Sequence, residues 1–63
     1  MSLKSARLQR GLTQQQLEEL SGVNAVTISR IEHEKIKPEN ITLRTAIQLA
    51  KALQISPEEL LQD

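Results

Sequence analysis

Thr13-Gln14-Gln15-Gln16-Leu17-Glu18-Glu19-Leu20-Ser21-Gly22-Val23-Asn24-Ala25-Val26-Thr27-Ile28-Ser29-Arg30-Ile31-Glu32 is the stretch that decides the fold. Thr13 followed three residues later by Gln16 has the form of a capping box. The Thr13 hydroxyl can accept from the Gln16 backbone N–H while the Gln16 side chain returns to the Thr13 N–H. Leu12, just ahead of the cap, can staple the first turn by packing on Leu17. Leu17 and Leu20 mark one helical face, and Gly22 closes the helix. Asn24 caps the next helix, with Ile28 and Ile31 three apart on its inner side. Between the two lies only Ser21-Gly22-Val23. Gly22 permits a sharp reversal of the backbone, and Val23 can drop into the angle between the helices. Two helices joined so closely form a helix-turn-helix.

Helical punctuation continues on both sides. Ser2 can cap a first helix that Gly11 ends in the left-handed conformation. After the pair, His33 to Ile41 contains Lys35, Lys37 and Pro38 and reads as a connecting loop. Thr42 can cap a fourth helix, in which Leu43, Ala46, Ile47, Ala50 and Leu53 recur with helical spacing. Ser56-Pro57-Glu58-Glu59 gives a cap, a proline at the first helical position and acids in the first turn. No segment alternates with period two, so no strand is predicted. The expected fold is all-α: a compact five-helix bundle with a helix-turn-helix, forming one domain over residues 1–63. Its helices are placed at about 2–10, 14–21, 25–33, 43–53 and 57–62. The expected core is Leu3, Ala6, Leu12, Leu17, Leu20, Val23, Ile28, Ile31, Leu43, Ala46, Ala50, Leu53, Ile55 and Leu60. Leu8 is apolar where the first helix should face outward.

The chain has 63 residues, no cysteine, no aromatic residue and one histidine. Disulfides, thiolate metal sites and a cysteine nucleophile are thereby excluded, and a lone His33 has no partners for metal binding or acid–base work. No metal or cofactor is expected. The sequential acids Glu18/Glu19 and Glu58/Glu59 do not face one another as a carboxylate dyad. Neither a signal peptide nor an apolar run of membrane-spanning length is visible, which leads to an expected cytoplasmic location with no membrane partner. No nucleophile–base pair or phosphate-cradling loop can be assembled, so an enzyme is not expected.

Function is carried by the free side of the third helix. With Ile28 and Ile31 pointing inward, a rotation of 100° per residue turns Ala25, Val26, Ser29, Arg30 and His33 outward. Small residues at the N-terminal end of a helix suit an approach to base edges in a major groove. Ala25 and Val26 can touch thymine methyls, Ser29 can donate or accept, and Arg30 can donate two bonds to guanine O6 and N7. These four residues are the predicted base contacts.

The ordered set Gly11-Leu12-Thr13-Gln14, Leu17, Ser21-Gly22-Val23-Asn24, Thr27-Ile28-Ser29-Arg30-Ile31-Glu32, Leu49-Ala50-Lys51-Ala52-Leu53 and Ser56-Pro57-Glu58-Glu59-Leu60-Leu61 resembles the phage repressor/Cro-type helix-turn-helix family over nearly the whole chain. The resemblance implies a five-helix fold, transcriptional regulation and a homodimer on a double-stranded DNA operator. It places Gln14 on a phosphate and sets Thr13 and Asn24 at helix N-termini that favour phosphate. Thr27, His33, Lys35 and Lys37 fall where family members commonly meet the sugar-phosphate backbone. Arg7 and Glu32 match a structural ion pair that ties the third helix to the first. In this family, dimer contacts often come from the C-terminal helix, where Leu60 and Leu61 stand. Three departures are visible. Glu18 replaces the usual Ala where the second and third helices approach, so its side chain must bend outward or hold the helices apart. Glu34 replaces the Gly that usually ends the third helix. The loop from His33 to Thr42 is longer than usual, with apolar Ile36 and Ile41 placed to fold back on the core.

Net charge is zero, with eight Lys and Arg against eight Asp and Glu. Phosphate neutralisation supplies much of the affinity for DNA, so a neutral domain is a poor default DNA binder. The charges are nevertheless segregated. Residues 1–17 and 35–51 are basic, whereas 18–34 and 52–63 are acidic. An acidic C-terminal end can lie away from DNA. The competing expectation is a protein-interaction or antitoxin-like module on the same fold, which net neutrality, Glu18 and Glu34 favour.

Overall fold

A computed structural model describes residues 2–37 and 40–61, and the side chains of these up to Leu60. Residue 62 of the predicted last helix and the Leu61 side chain lie outside the described residues. Five α-helices follow one another: α1 (Leu3–Gln9), α2 (Gln14–Ser21), α3 (Ala25–Glu32), α4 (Leu43–Leu53) and α5 (Pro57–Leu61). No strand occurs among the described residues.

The helices start where short polar side chains can satisfy free backbone donors. Ser2 accepts from Ser5 N–H, and Thr42 accepts from Thr45 N–H. Thr13 and Gln16 form both halves of the capping box, at 3.1 and 2.9 Å. Asn24 Oδ1 accepts from Val26 N–H at 2.7 Å. Around α5, Ser56 and Glu59 exchange the same reciprocal bonds at 3.2 Å. Each such cap contributes about 1 kcal/mol.

The ends of the helices share a different device. After α1, α3 and α4 a left-handed residue closes the helix with a pair of backbone bonds. Gly11 and Leu12 donate to Leu8 O and Arg7 O, Glu34 and Lys35 to Ile31 O and Arg30 O, and Gln54 and Ile55 to Lys51 O and Ala50 O. This double-bonded ending usually takes glycine. Here only Gly11 supplies one, and Glu34 and Gln54 adopt φ of 60° and 59°. The exit of α3 therefore keeps the geometry expected of glycine despite the Glu at that position.

Leu17, Ile28, Leu49 and Leu53 are fully enclosed at the centre, with Leu3, Ala6, Val23, Ala46 and Leu60 around them. Leu12, Ile31, Ile41 and Ile55 pack on this cluster at its edge. Two expected core residues are surface residues: Leu20 is 62% exposed and Leu43 is 71% exposed. On α2, Gln14, Glu18 and Ser21 flank Leu17 as partly covered residues, so the inner face turns away from Leu20. Leu43 opens α4 one turn ahead of its buried run, Ala46, Leu49, Ala50 and Leu53. Leu49, absent from the expected core, shares that stripe by its i+3 and i+4 spacing and is completely buried. Leu60 is 7% exposed within its own core, which removes it as a surface for pairing.

Candidate nucleic-acid interface

Ile28 fixes α3 to the body and is completely buried, and Ile31 packs at the edge of the core. The opposite side is open. Val26 is 57% exposed, Arg30 is exposed, and Ala25, Thr27 and Ser29 are half-buried along the flanks. A large exposed valine beside an exposed guanidinium has no role inside this chain.

The turn before α3 is built from residues on both sides of it. Ser21 Oγ donates to Leu17 O at 2.7 Å and accepts from Val23 N–H at 3.0 Å. Gly22, at φ 77°, donates to Glu18 O at 2.8 Å. Val23 is 6% exposed and fills the angle between α2 and α3. Glu18 neither swings into solvent nor wedges the helices apart. Its Oε1 accepts from Ala25 N–H at 2.6 Å. A carboxylate suits the partially positive start of a helix, and this one reaches it from seven residues back in the chain, inside α2.

A second anchorage holds the other end of α3. Arg7 Nε donates to Glu32 Oε2 at 2.7 Å, and Arg7 Nη2 donates to Glu32 Oε1 at 3.0 Å. Arg7 Nη1 donates to Leu12 O at 2.7 Å. The two side chains are 10% and 2% exposed. The Glu32 bond raises the Arg7 pKa against the opposing effect of burial. Burial pushes the Glu32 carboxyl up, but bonds from Arg7 and Gln14, with the charges of Arg7 and Lys4, outweigh it and leave the group below its ordinary value. Gln14 Nε2 donates to Glu32 Oε1 at 3.1 Å, so this network also orients the first residue of α2. Arg10 anchors α1 to the end of α4, donating to Leu53 O at 3.1 Å and to Gln54 Oε1 at 2.7 Å. No local pattern signals that contact, because its partners lie 43 residues apart along the chain.

Thr13, Gln14 and Ala25 line one open groove together with Arg7, Leu8, Gly11, Leu12 and Gln15. The starts of α2 and α3 therefore meet on one surface. Asn24 is exposed beside them, and its side-chain oxygen accepts from Val26 N–H. His33, Lys35 and Lys37 are exposed beyond the other end of α3, roughly 12 Å along its axis. No set of three potential metal ligands occurs among the described residues. No helix among them is long and apolar enough to cross a membrane.

Two short helices at a tight turn, the second clamped at both ends and bare on its outer side, define a helix-turn-helix domain. The helix-turn-helix family matches residues 3–60, and the chain belongs to that family. It is 42% identical over 60 residues to Control protein C.SmaI of Serratia marcescens, an alignment that covers 95% of this chain and 68% of that protein. No solved structure matches. The protein is a helix-turn-helix transcriptional regulator that binds DNA.

Proposed function

We propose that the chain is a sequence-specific regulator that places α3 in the major groove. Ala25, Val26, Ser29 and Arg30 meet base edges, and Arg30 supplies the bidentate contact to guanine. Thr13, Gln14, Asn24, Thr27, His33, Lys35 and Lys37 hold the sugar-phosphate backbone on either side. The observation that carries this reading is the asymmetry of α3: Ile28 is sealed in the core while Val26 and Arg30 stand in solvent. Two copies bind a near-palindromic operator, their α3 helices about 34–36 Å apart in successive major grooves. The likeness to Control protein C.SmaI supports a role in transcriptional control, exerted in the cytoplasm by occupancy of DNA with no bond-making chemistry.

Selection of binding sites from a random-sequence duplex pool tests the reading. Arg30→Ala is expected to weaken the selected site by about 1–3 kcal/mol and random DNA far less. Equal losses on both would make Arg30 a phosphate contact. A second reading, a protein-interaction module on this fold, draws on the exposed Leu8, Leu20 and Leu43 and on the zero net charge. Enrichment of no sequence at low or moderate salt would favour it.

A further inference from the structure

Glu18 makes one bond that closes α2 and a second across the turn that separates α2 from α3. Its backbone carbonyl accepts the Gly22 N–H that ends α2, and its carboxylate accepts the Ala25 N–H that begins α3. One residue thus fixes where the first helix stops and where the second starts. The carboxylate bond is short and partly buried. A charge-assisted bond of that kind, aligned with the helix dipole, is stronger than a neutral one and more directional than apolar packing.

Nothing else on α2 reaches the start of α3 in this way. Leu17 lies in the core beneath it, Ser21 bonds its own helix and Val23 N–H, and Leu20 faces solvent. Ile28 and the Arg7–Glu32 pair hold the middle and far end of α3. The near end carries Ala25 and Val26, and the Glu18 carboxylate holds it to α2 through the Ala25 N–H.

We propose that Glu18 is a positioning residue for DNA recognition: its bond to Ala25 N–H sets the pitch at which α3 presents its outer face. This rests on the reading that α3 enters the groove. A consequence follows for the start of α3. Ala25 N–H is held by Glu18 and Val26 N–H by Asn24, and a fixed anion occupies the positive end of the helix. Phosphate contacts of Asn24 and Thr27 there run through their side chains rather than through the Ala25 and Val26 N–H groups.

The test separates reach from charge. Glu18→Gln keeps an oxygen acceptor at the same distance and loses the charge, whereas Glu18→Asp keeps the charge and is one methylene too short. The probes are a duplex enriched from a random pool by the wild-type chain and the unselected pool itself. Glu18→Asp is expected to lower the ratio of selected-site to pool affinity roughly tenfold, within the range governed by one misplaced base contact. Glu18→Gln is expected to keep the wild-type ratio while tightening both probes, because a negative charge leaves the DNA-facing side. The Ala25 amide resonance, read by NMR, is expected to keep its hydrogen-bonded position in Glu18→Gln and move upfield in Glu18→Asp. A wild-type ratio in Glu18→Asp, or an equal fall in both variants, overturns the role of Glu18 alone. Failure of the wild-type chain to enrich any sequence overturns the DNA reading and this inference with it.

Discussion

Removing the Glu32 carboxylate takes away two of the three bonds that hold the Arg7 guanidinium and leaves it only Leu12 O. The guanidinium is 10% exposed, so water reaches little of it. Breaking a buried pair from one side costs about 3–5 kcal/mol, because the surviving charge has lost water and gained nothing. A chain of this length has a total stability of roughly 3–9 kcal/mol. Glu32→Ala is therefore expected to lie at or near the edge of unfolding. Each kcal/mol moves Tm by about 4–8 °C in a domain of this size, so a fall of at least about 12 °C is expected. The companion variant, Arg7→Met with Glu32→Met, removes both charges and fills the space with apolar side chains. It is expected to stay within about 2 kcal/mol of wild type, since replacement of a whole buried pair is often neutral. Gln14 loses its acceptor in both variants but is only half-buried and can turn to solvent. Urea unfolding followed by far-ultraviolet circular dichroism gives all the stabilities. A loss below about 1 kcal/mol in Glu32→Ala would show a pair that water screens as it does on a surface. A double Met variant costing the sum of Arg7→Met and Glu32→Met made singly would show that the charges do not act on each other. Either result refutes the reasoning.

Two further outcomes follow from neighbouring features. The Glu32 carboxyl lies below its ordinary value in the folded chain, so the folded state favours the ionised form. Its contribution is complete above the unfolded carboxylate value of about 4.3 and is lost as pH falls through the lower folded value. The acid limb of a stability–pH curve is expected to be flatter in the Arg7→Met, Glu32→Met variant, and an unchanged limb would exclude this linkage. Glu34 sits at φ 60° with no side-chain hydrogen bond among the described residues. Glu34→Gly is expected to raise urea-measured stability by about 0.5–1 kcal/mol, since glycine adopts this conformation freely. Gln54→Gly is expected to gain less because Arg10 loses its bond to Gln54 Oε1.

Local chemistry made the helix starts legible. Ser2, Thr13, Asn24, Thr42 and Ser56 each stand one residue before a helix and need only their own following turn. The class of fold and the free face of α3 were legible for the same reason, since periodicity within eight residues decides which side is apolar. Helix ends were less so. Glu34 and Gln54 take left-handed backbones because the chain must fold back on the core there, a demand that no local preference signals. Leu20 and Leu43 misled because period alone does not say where a neighbouring helix runs out. Arg10 on the end of α4 was hidden by distance along the chain. Glu18 was visible as a misfit between two helices, but its bond to Ala25 depends on their separation. Under the proposed reading, which bases lie opposite Ala25, Val26, Ser29 and Arg30 depends on the DNA, and that leaves no period in this sequence.

Zero net charge bears differently on this fold once the cations are sorted by what they touch. Arg7 lies in a buried pair and Arg10 is bonded to the end of α4, so both belong to the scaffold. The other six, Lys4, Arg30, Lys35, Lys37, Arg44 and Lys51, are exposed. Only Arg30, Lys35 and Lys37 lie on α3 or the turn that follows it. Few counterions are then released when the proposed face meets DNA, and the attraction common to all sequences is weak. Under the proposed reading, discrimination then rests on the fit of α3 to base edges, and that fit rests on how rigidly α3 is held. The chain holds it by Glu18 at the start, Ile28 in the middle and Glu32 at the end. Two of those three anchors are carboxylates, so part of the acidity that lowers general affinity for DNA also fixes the helix proposed to read it.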